Sequence, residues 1–196
     1  MPKQVDHAAR RAEIAQAALR LCAREGLAEV SIGRVAQEAG ISKGLVQHYF
    51  AAKADLLRAS AHLLRQEIEQ HLRAASREAD GPAGTLRRTL LAVVELGAQA
   101  PLLLLAGHAF FARAAADPEV RGLYRTGGDM LHREVAQLVA AAAPDADASA
   151  EAHVLLGVAR GLGDSVLVGE LSVAEATTIL DHQLRRLNRP AGVSGD

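Results

Sequence analysis

At 196 residues with a formal net charge of −1, the chain suits one large domain or two small ones, and its overall charge alone does not point to nucleic acid. Apolar residues make up 49% and aromatics only 3%, with no Trp, so the core is expected to be built from Ala, Leu and Val. Ala and Leu lead the helix-propensity ranking, which makes an all-α protein the first expectation. The one cysteine, Cys22, excludes an internal disulfide and reads as a small buried residue among Leu19, Leu21 and Ala23. No apolar run approaches the roughly 18 residues of a membrane span. Pro2, Lys3, Gln4 and Asp6 precede no apolar stretch of a secretory signal, so a soluble, cytoplasmic protein without a membrane partner is expected.

Charge is unevenly spread. Residues 1–58 hold nine Lys/Arg against six Asp/Glu, a net of +3, which leaves thirteen against seventeen, −4, for the rest. A mildly basic front on an acidic back fits a phosphate-contacting head on a neutral-to-acidic body.

In chain order, residues 1–7 read as a polar lead-in. A first helix follows from about His7 to Arg24, with Ile14, Ala18 and Leu21 on one face and Gly26 ending it. Ser31 is a helix N-cap, and Ile32, Val35, Ala36 and Ala39 recur at helical spacing behind it. Gly40 supplies the left-handed residue of a helix end. Ser42 then caps a second short helix, which is helix-turn-helix spacing, with small Ala36 where the two helices approach. On that helix Leu45, Val46, Tyr49 and Phe50 share one half of the cylinder, and Lys43, Gly44, Gln47 and His48 share the other. The first half can pack on a core. The second offers an ammonium and an amide that can read guanine and adenine edges in the major groove, and Gly44 lets the backbone come close.

Residues Arg11 to Leu57 resemble the N-terminal DNA-binding domain of the TetR family of bacterial regulators. The resemblance rests on the leading helix, the Ser31–Gly40–Ser42 frame, the aromatic pair Tyr49–Phe50, and Phe50, Lys53, Leu56 and Leu57 opening the next helix. About a quarter of the chain carries the strong match. Where the family most often has Tyr-Tyr-His-Phe, this chain has Gln47-His48-Tyr49-Phe50, a form similar to the branch that includes the betaine-synthesis regulators. The resemblance implies a DNA-binding domain over 1–52 and a ligand-binding and dimerisation domain over 53–188, and residues 189–196 read as a disordered tail. On this reading Lys43, Gly44 and Gln47 read bases, and Ser31, Ser42, Tyr49 and Lys53 hold the phosphate backbone. Leu45 offers a thymine-methyl contact, and His48 stays open between base, phosphate and packing.

A fourth helix starts at Lys53 and runs through Leu72 to Asp80-Gly81-Pro82. A fifth is expected from about Thr85 to Ala98. A sixth runs from Leu102 to about Ala116, its four leucines 102–105 read as core. Asp117-Pro118-Glu119 opens a seventh, to about Ala143, in which Gly127-Gly128 predicts a kink or close packing. An eighth runs from Ala148 or Ser149 to Val168. Ser172-Val173-Ala174-Glu175 is a capping box for a ninth, to about Leu187.

Gly157, Gly161 and Gly163 remove side chains along the eighth helix, which fits either close packing within one chain or a two-fold interface. The resemblance favours a homodimer joined by helices eight and nine, with Val154, Gly157, Val158, Gly161, Leu162, Ile179, Leu180, Leu184 and Leu187 at the interface. It also implies a small-molecule cavity in the body. The candidate contacts there are polar residues on apolar helices: His62, Gln99, His108, Arg113, His132, Arg160 and Asp164. No metal-ligand spacing, phosphate loop or nucleophile motif stands out among the eight histidines and the rest of the chain, so neither an enzyme nor a cofactor is expected. The function expected is a homodimeric repressor of a palindromic double-stranded operator, released by an unidentified effector. An activator or ligand-independent regulator on the same fold is the alternative, and an all-α carrier or enzyme a more distant one.

Overall fold

The computed structural model describes residues 2–77 and 79–187, with side chains from His7 onward except at 78; the expected tail at 189–196 lies outside them. Nine α-helices and one 3-10 turn account for their regular structure, with no strand among the described residues. They are α1 (Pro2–Glu25), a 3-10 turn (Leu27–Glu29), α2 (Ile32–Ala39), α3 (Lys43–Tyr49), α4 (Lys53–Ser76), α5 (Gly81–Gln99), α6 (Pro101–Ala114), α7 (Pro118–Ala142), α8 (Ala148–Leu167) and α9 (Val173–Leu187). The all-α expectation holds.

Most helix ends follow their local chemistry. Ser31 Oγ accepts from the Arg34 amide and Ser42 Oγ from the Leu45 amide. Gly40 is left-handed at φ 66°, and the Ile41 amide reaches back to Ala36 O at 3.0 Å, closing α2. Asp147 caps α8 through two amides. At α9 the Ser172 amide donates to Glu175 while the Glu175 amide donates to Ser172 Oγ, the predicted reciprocal box.

Four expectations need correcting. α1 begins at Pro2 rather than His7, because Pro at a first helical position gives up no useful donor. For the same reason α5 begins at Gly81, behind Asp80 and with Pro82 in its first turn, while α4 already stops at Ser76. α7 runs through Gly127-Gly128 as one helix; a Cβ at Gly127 would touch only the Arg65 side chain at 3.8 Å, and one at Gly128 would meet nothing. Finally, the leucine run is not core throughout: Leu102 is 36% and Leu105 40% exposed, because α6, unlike α5, buries only one face, through Ala106, Phe110 and Ala114.

The chain divides into two compact units. The first takes the residues up to Glu69 together with Leu102–Gly127, and the second Gln70–Pro101 and the residues from Gly128. In the first, Ile14, Leu19 and Leu21 of α1, Val35 of α2, Val46 of α3, Phe50, Leu56 and Phe110 form one core. In the second, α5 is the central helix, buried nearly all round through Leu86, Leu90, Val94 and Leu96, with α8 and α9 packed on it. α5 and α8 meet where both lack side chains. A Cβ built on Gly97 would lie 2.2 Å from Gly163 O, and one on Gly163 would lie 3.1 Å from Val93 O. Arg87 ties α5 to α9 through both carboxylate oxygens of Asp181, at 2.6 and 2.9 Å.

Candidate nucleic-acid interface

α3 is seven residues long, and its two halves differ as its sequence predicts except at Leu45, which was placed on the packing half and is 37% exposed. Val46 is fully buried and Phe50, at its C-cap, nearly so, which anchors one side. Lys43, Gly44, Leu45, Gln47 and His48 are exposed, and Tyr49 is half-buried. A Cβ on Gly44 would approach nothing nearer than Ser42 Oγ at 4.0 Å, so no contact among the described residues requires glycine there. The ring centroids of His48 and Tyr49 lie 5.3 Å apart, edge to face. Lys53 is exposed, its Nζ turned back to donate to Ala28 O at 3.4 Å. The structure thus brings Ser42 to Tyr49 onto one short helix, with Ser31 at the start of α2 and Lys53 at the start of α4.

Two groups of residues around α3 have partners that the sequence does not reveal. Arg11 of α1 donates to Tyr49 O at 2.5 Å, and its guanidinium carbon lies 4.2 Å from the Phe50 ring centroid. On the other side of α1 an ionic network joins α1, the 3-10 turn and α2. Arg24 bridges Glu25 and Glu38, Arg20 also reaches Glu38, and Arg34 pairs with Glu25 and Glu29. The Arg34 and Arg24 guanidiniums hold the Glu25 carboxyl below the usual carboxylate range, and Arg24 and Arg20 do so for Glu38. Neither group has a periodic signature, since Arg11 and Tyr49 lie 38 residues apart and Arg20 and Glu38 lie 18 apart.

The effector candidates divide between the two units. His62, His108 and Arg113 belong to the first unit, and Gln99, His132, Arg160 and Asp164 to the second. His62, Gln99, Arg113 and Arg160 are exposed. His62 meets Arg65 at 2.8 Å, and Arg113 pairs with Asp117. His132 sits 3.1 Å from Ser149 O and stacks on His153 with centroids 3.9 Å apart. His108 and Asp164 are half-buried. A cavity of about 140 Å³ lies beside α1 and α2, lined by Arg10, Glu13, Gln16, Arg20 and Ile41 among others, with none of the effector candidates in its lining.

The dimer candidates divide. Val154 and Ile179 are 48% and 43% exposed, and Gly157 and Gly161 face open space. Val158, Leu184 and Leu187 are half-buried. Leu180 is fully buried and Leu162 nearly so, so these two pack inside their own chain and offer a partner almost no surface. Cys22 is buried as expected, and burial pushes its thiol up to about 12. No group of three or more potential metal ligands occurs among the described residues, and no single helix among them is long and apolar enough to cross a membrane.

A capped two-helix reader with one wet face, held by a leading helix and followed by an all-helical second unit, defines a helix-turn-helix regulator. Comparison with known proteins agrees. Residues 14–60 match the family described as bacterial regulatory proteins, tetR family, and residues 82–189 match the BetI-type transcriptional repressor, C-terminal. The HTH-type transcriptional regulator BetI of Burkholderia mallei is 31% identical over 83% of this chain and 84% of its own. BetI of Brucella suis biovar 1 is 29% identical over 67% of each. Among solved structures, a transcriptional regulator from Pseudomonas aeruginosa PAO1 superposes with a TM-score of 0.82 at 22% identity, covering 97% of this chain and 93% of that one. A regulator from Saccharomonospora viridis in complex with choline gives 0.69 at 24% identity, covering 92% and 94%. The chain belongs to the TetR family of bacterial transcriptional regulators, with a C-terminal part of the BetI repressor type. It is a regulator and not an enzyme, as its relatives are.

Proposed function

We propose that this protein is a cytoplasmic homodimeric repressor whose two α3 helices read successive major grooves of a palindromic operator, roughly 34–36 Å apart. The observation that carries this reading is the split character of α3: Val46 and Phe50 are anchored in the core while Lys43, Gly44, Leu45, Gln47 and His48 face water. Lys43 and Gln47 have the chemistry for base edges, with Gly44 admitting the backbone and Leu45 a thymine methyl. Ser31, Ser42, Tyr49 and Lys53 supply phosphate contacts, Lys53 by exchanging one exposed carbonyl bond for a phosphate. Residues 1–52 form the reading domain and 53–188 the sensing and dimerising one.

Dimerisation follows from economy of contacts, since one short helix touches few base pairs and a two-fold dimer doubles them. The open stripe of Gly157 and Gly161, flanked by exposed Val154 and Ile179, is the surface we assign to it.

For the effector, His71 of α4 joins His132 and Asp164 of the same unit as a candidate contact. Its Nε2 is shut from solvent with no hydrogen-bond partner among the described residues. The choline-bound relative makes choline the first ligand to try, and the −4 balance after residue 58 favours a cation. An effector that binds the DNA-free state better would release the operator by that difference in affinity.

The test is selection of duplexes from a random library by the full-length protein, with and without choline. A palindrome with two half-sites about one helical turn apart is the expected result. Absence of any preferred sequence at moderate salt would end this reading.

A further inference from the structure

The first half of α1 holds the last turn of α3. A helix of seven residues is too short to support itself, so its ends decide where its side chains point. The N-terminal end is closed by Ser42 Oγ. At the other end the carbonyls have no intrahelical partner. One of them, Tyr49 O, accepts from Arg11 Nη1 at 2.5 Å. The same guanidinium lies over Phe50, 4.2 Å from the ring centroid, and His7, one turn earlier on α1, packs its ring on Tyr49 with centroids 4.5 Å apart. A cation at a helix C-terminus is favourable in its own right, because the unpaired carbonyls concentrate negative charge there.

We propose that Arg11 is the positioning residue of the recognition helix. It fixes the last turn of α3 so that Gln47 and His48 meet the duplex at one height and rotation, and it does so without touching DNA. Its hydrogen bond to Tyr49 O and its stacked face commit one Nη1–H and one face of the guanidinium to the protein. Arg10 beside it pairs instead with Glu13 at the surface and is the natural control. The proposal rests on the reading of α3 given above, but its first test needs no DNA.

Amide exchange on the free, full-length protein is that test. Arg11→Ala is expected to speed exchange in the last turn of α3 about ten-fold or more, the effect of losing one charge-assisted hydrogen bond. Amides of α5 and α8 should be unaffected. Arg11→Lys, which can still reach the carbonyl, should recover part of the protection and keeps the test alive if the alanine variant folds poorly. On the duplex selected by the wild type, both variants should lose preference over a scrambled duplex, about ten-fold for alanine, with the salt slope unchanged.

A salt slope shallower by about 0.9, with equal loss on every sequence, would make Arg11 a phosphate contact and overturn the proposal. Unchanged exchange with an unchanged preference, even at a lower melting temperature, would reduce it to packing and overturn it equally. If the wild type selects no duplex, the reading of α3 fails and the proposal falls with it. If the wild type selects a palindrome while the variants behave as wild type, the proposal falls alone.

Discussion

At Gly44 a single methyl separates stability from recognition. The site is helical and open, with Ser42 Oγ the nearest atom a Cβ would meet, so Gly44→Ala costs nothing in packing. In a helix it gains up to about 1 kcal/mol. The expected outcome is a protein that melts no lower than wild type and binds its selected duplex more weakly, measured by thermal unfolding and by titration at one salt concentration. Equal affinity would take Gly44 out of the contact surface. Ser31, Gly40, Ser42 and the wet–greasy split of α3 were legible in the sequence because each is a local matter of spacing or capping. Arg11 was not. Its partner lies 38 residues away, and a solvated arginine near a helix start has the same local sequence.

Among the elements, the α5–α8 crossing shows where a sequence pattern divides. Gly157, Gly161 and Gly163 read as one stripe, yet only Gly163 is explained within the chain, by its contact with α5. Gly97→Ala places a methyl 2.2 Å from Gly163 O, on backbone that cannot give way cheaply. A loss of about 1–3 kcal/mol is expected, lowering the melting temperature by several degrees. A variant that melts with the wild type would show that the two helices can slide apart.

The ionic network of the head predicts acid sensitivity of a definite sign. Glu25 and Glu38 have folded-state pKa values held below the ordinary 4.5 by their arginine partners. Their contribution is therefore present above that value and lost as pH falls through the depressed one. Burial raises Glu67, which acts in the opposite sense and gains from protonation. Glu38→Gln should accordingly flatten the fall in melting temperature below about pH 4.5, recorded by circular dichroism. An unchanged acid limb would assign that instability elsewhere. This network was not legible beforehand, because Glu38 and its partners Arg20 and Arg24 sit on different helices.

For the whole molecule, the two glycines left without a reason inside the chain carry the dimer prediction. Gly157→Leu or Gly161→Leu adds a side chain into open space, so the protomer should fold and melt normally. If these positions face a partner, dissociation should rise about ten-fold or more by sedimentation, the effect of overpacking a close helix contact. An unchanged dimer would move the interface to another face. Leu180 makes the complementary point, since a residue with no exposure can stabilise only its own chain.

Cys22, the chain's only cysteine, is enclosed and has a thiol that ionises only near pH 12. Any cysteine introduced at the surface would therefore be the sole reactive sulfur at neutral pH. One spin label on a native background, placed at Lys43 for instance, would report the separation of the two recognition helices of the proposed dimer in solution. A ligand's effect on that separation could then be followed directly, without a ligand-bound crystal.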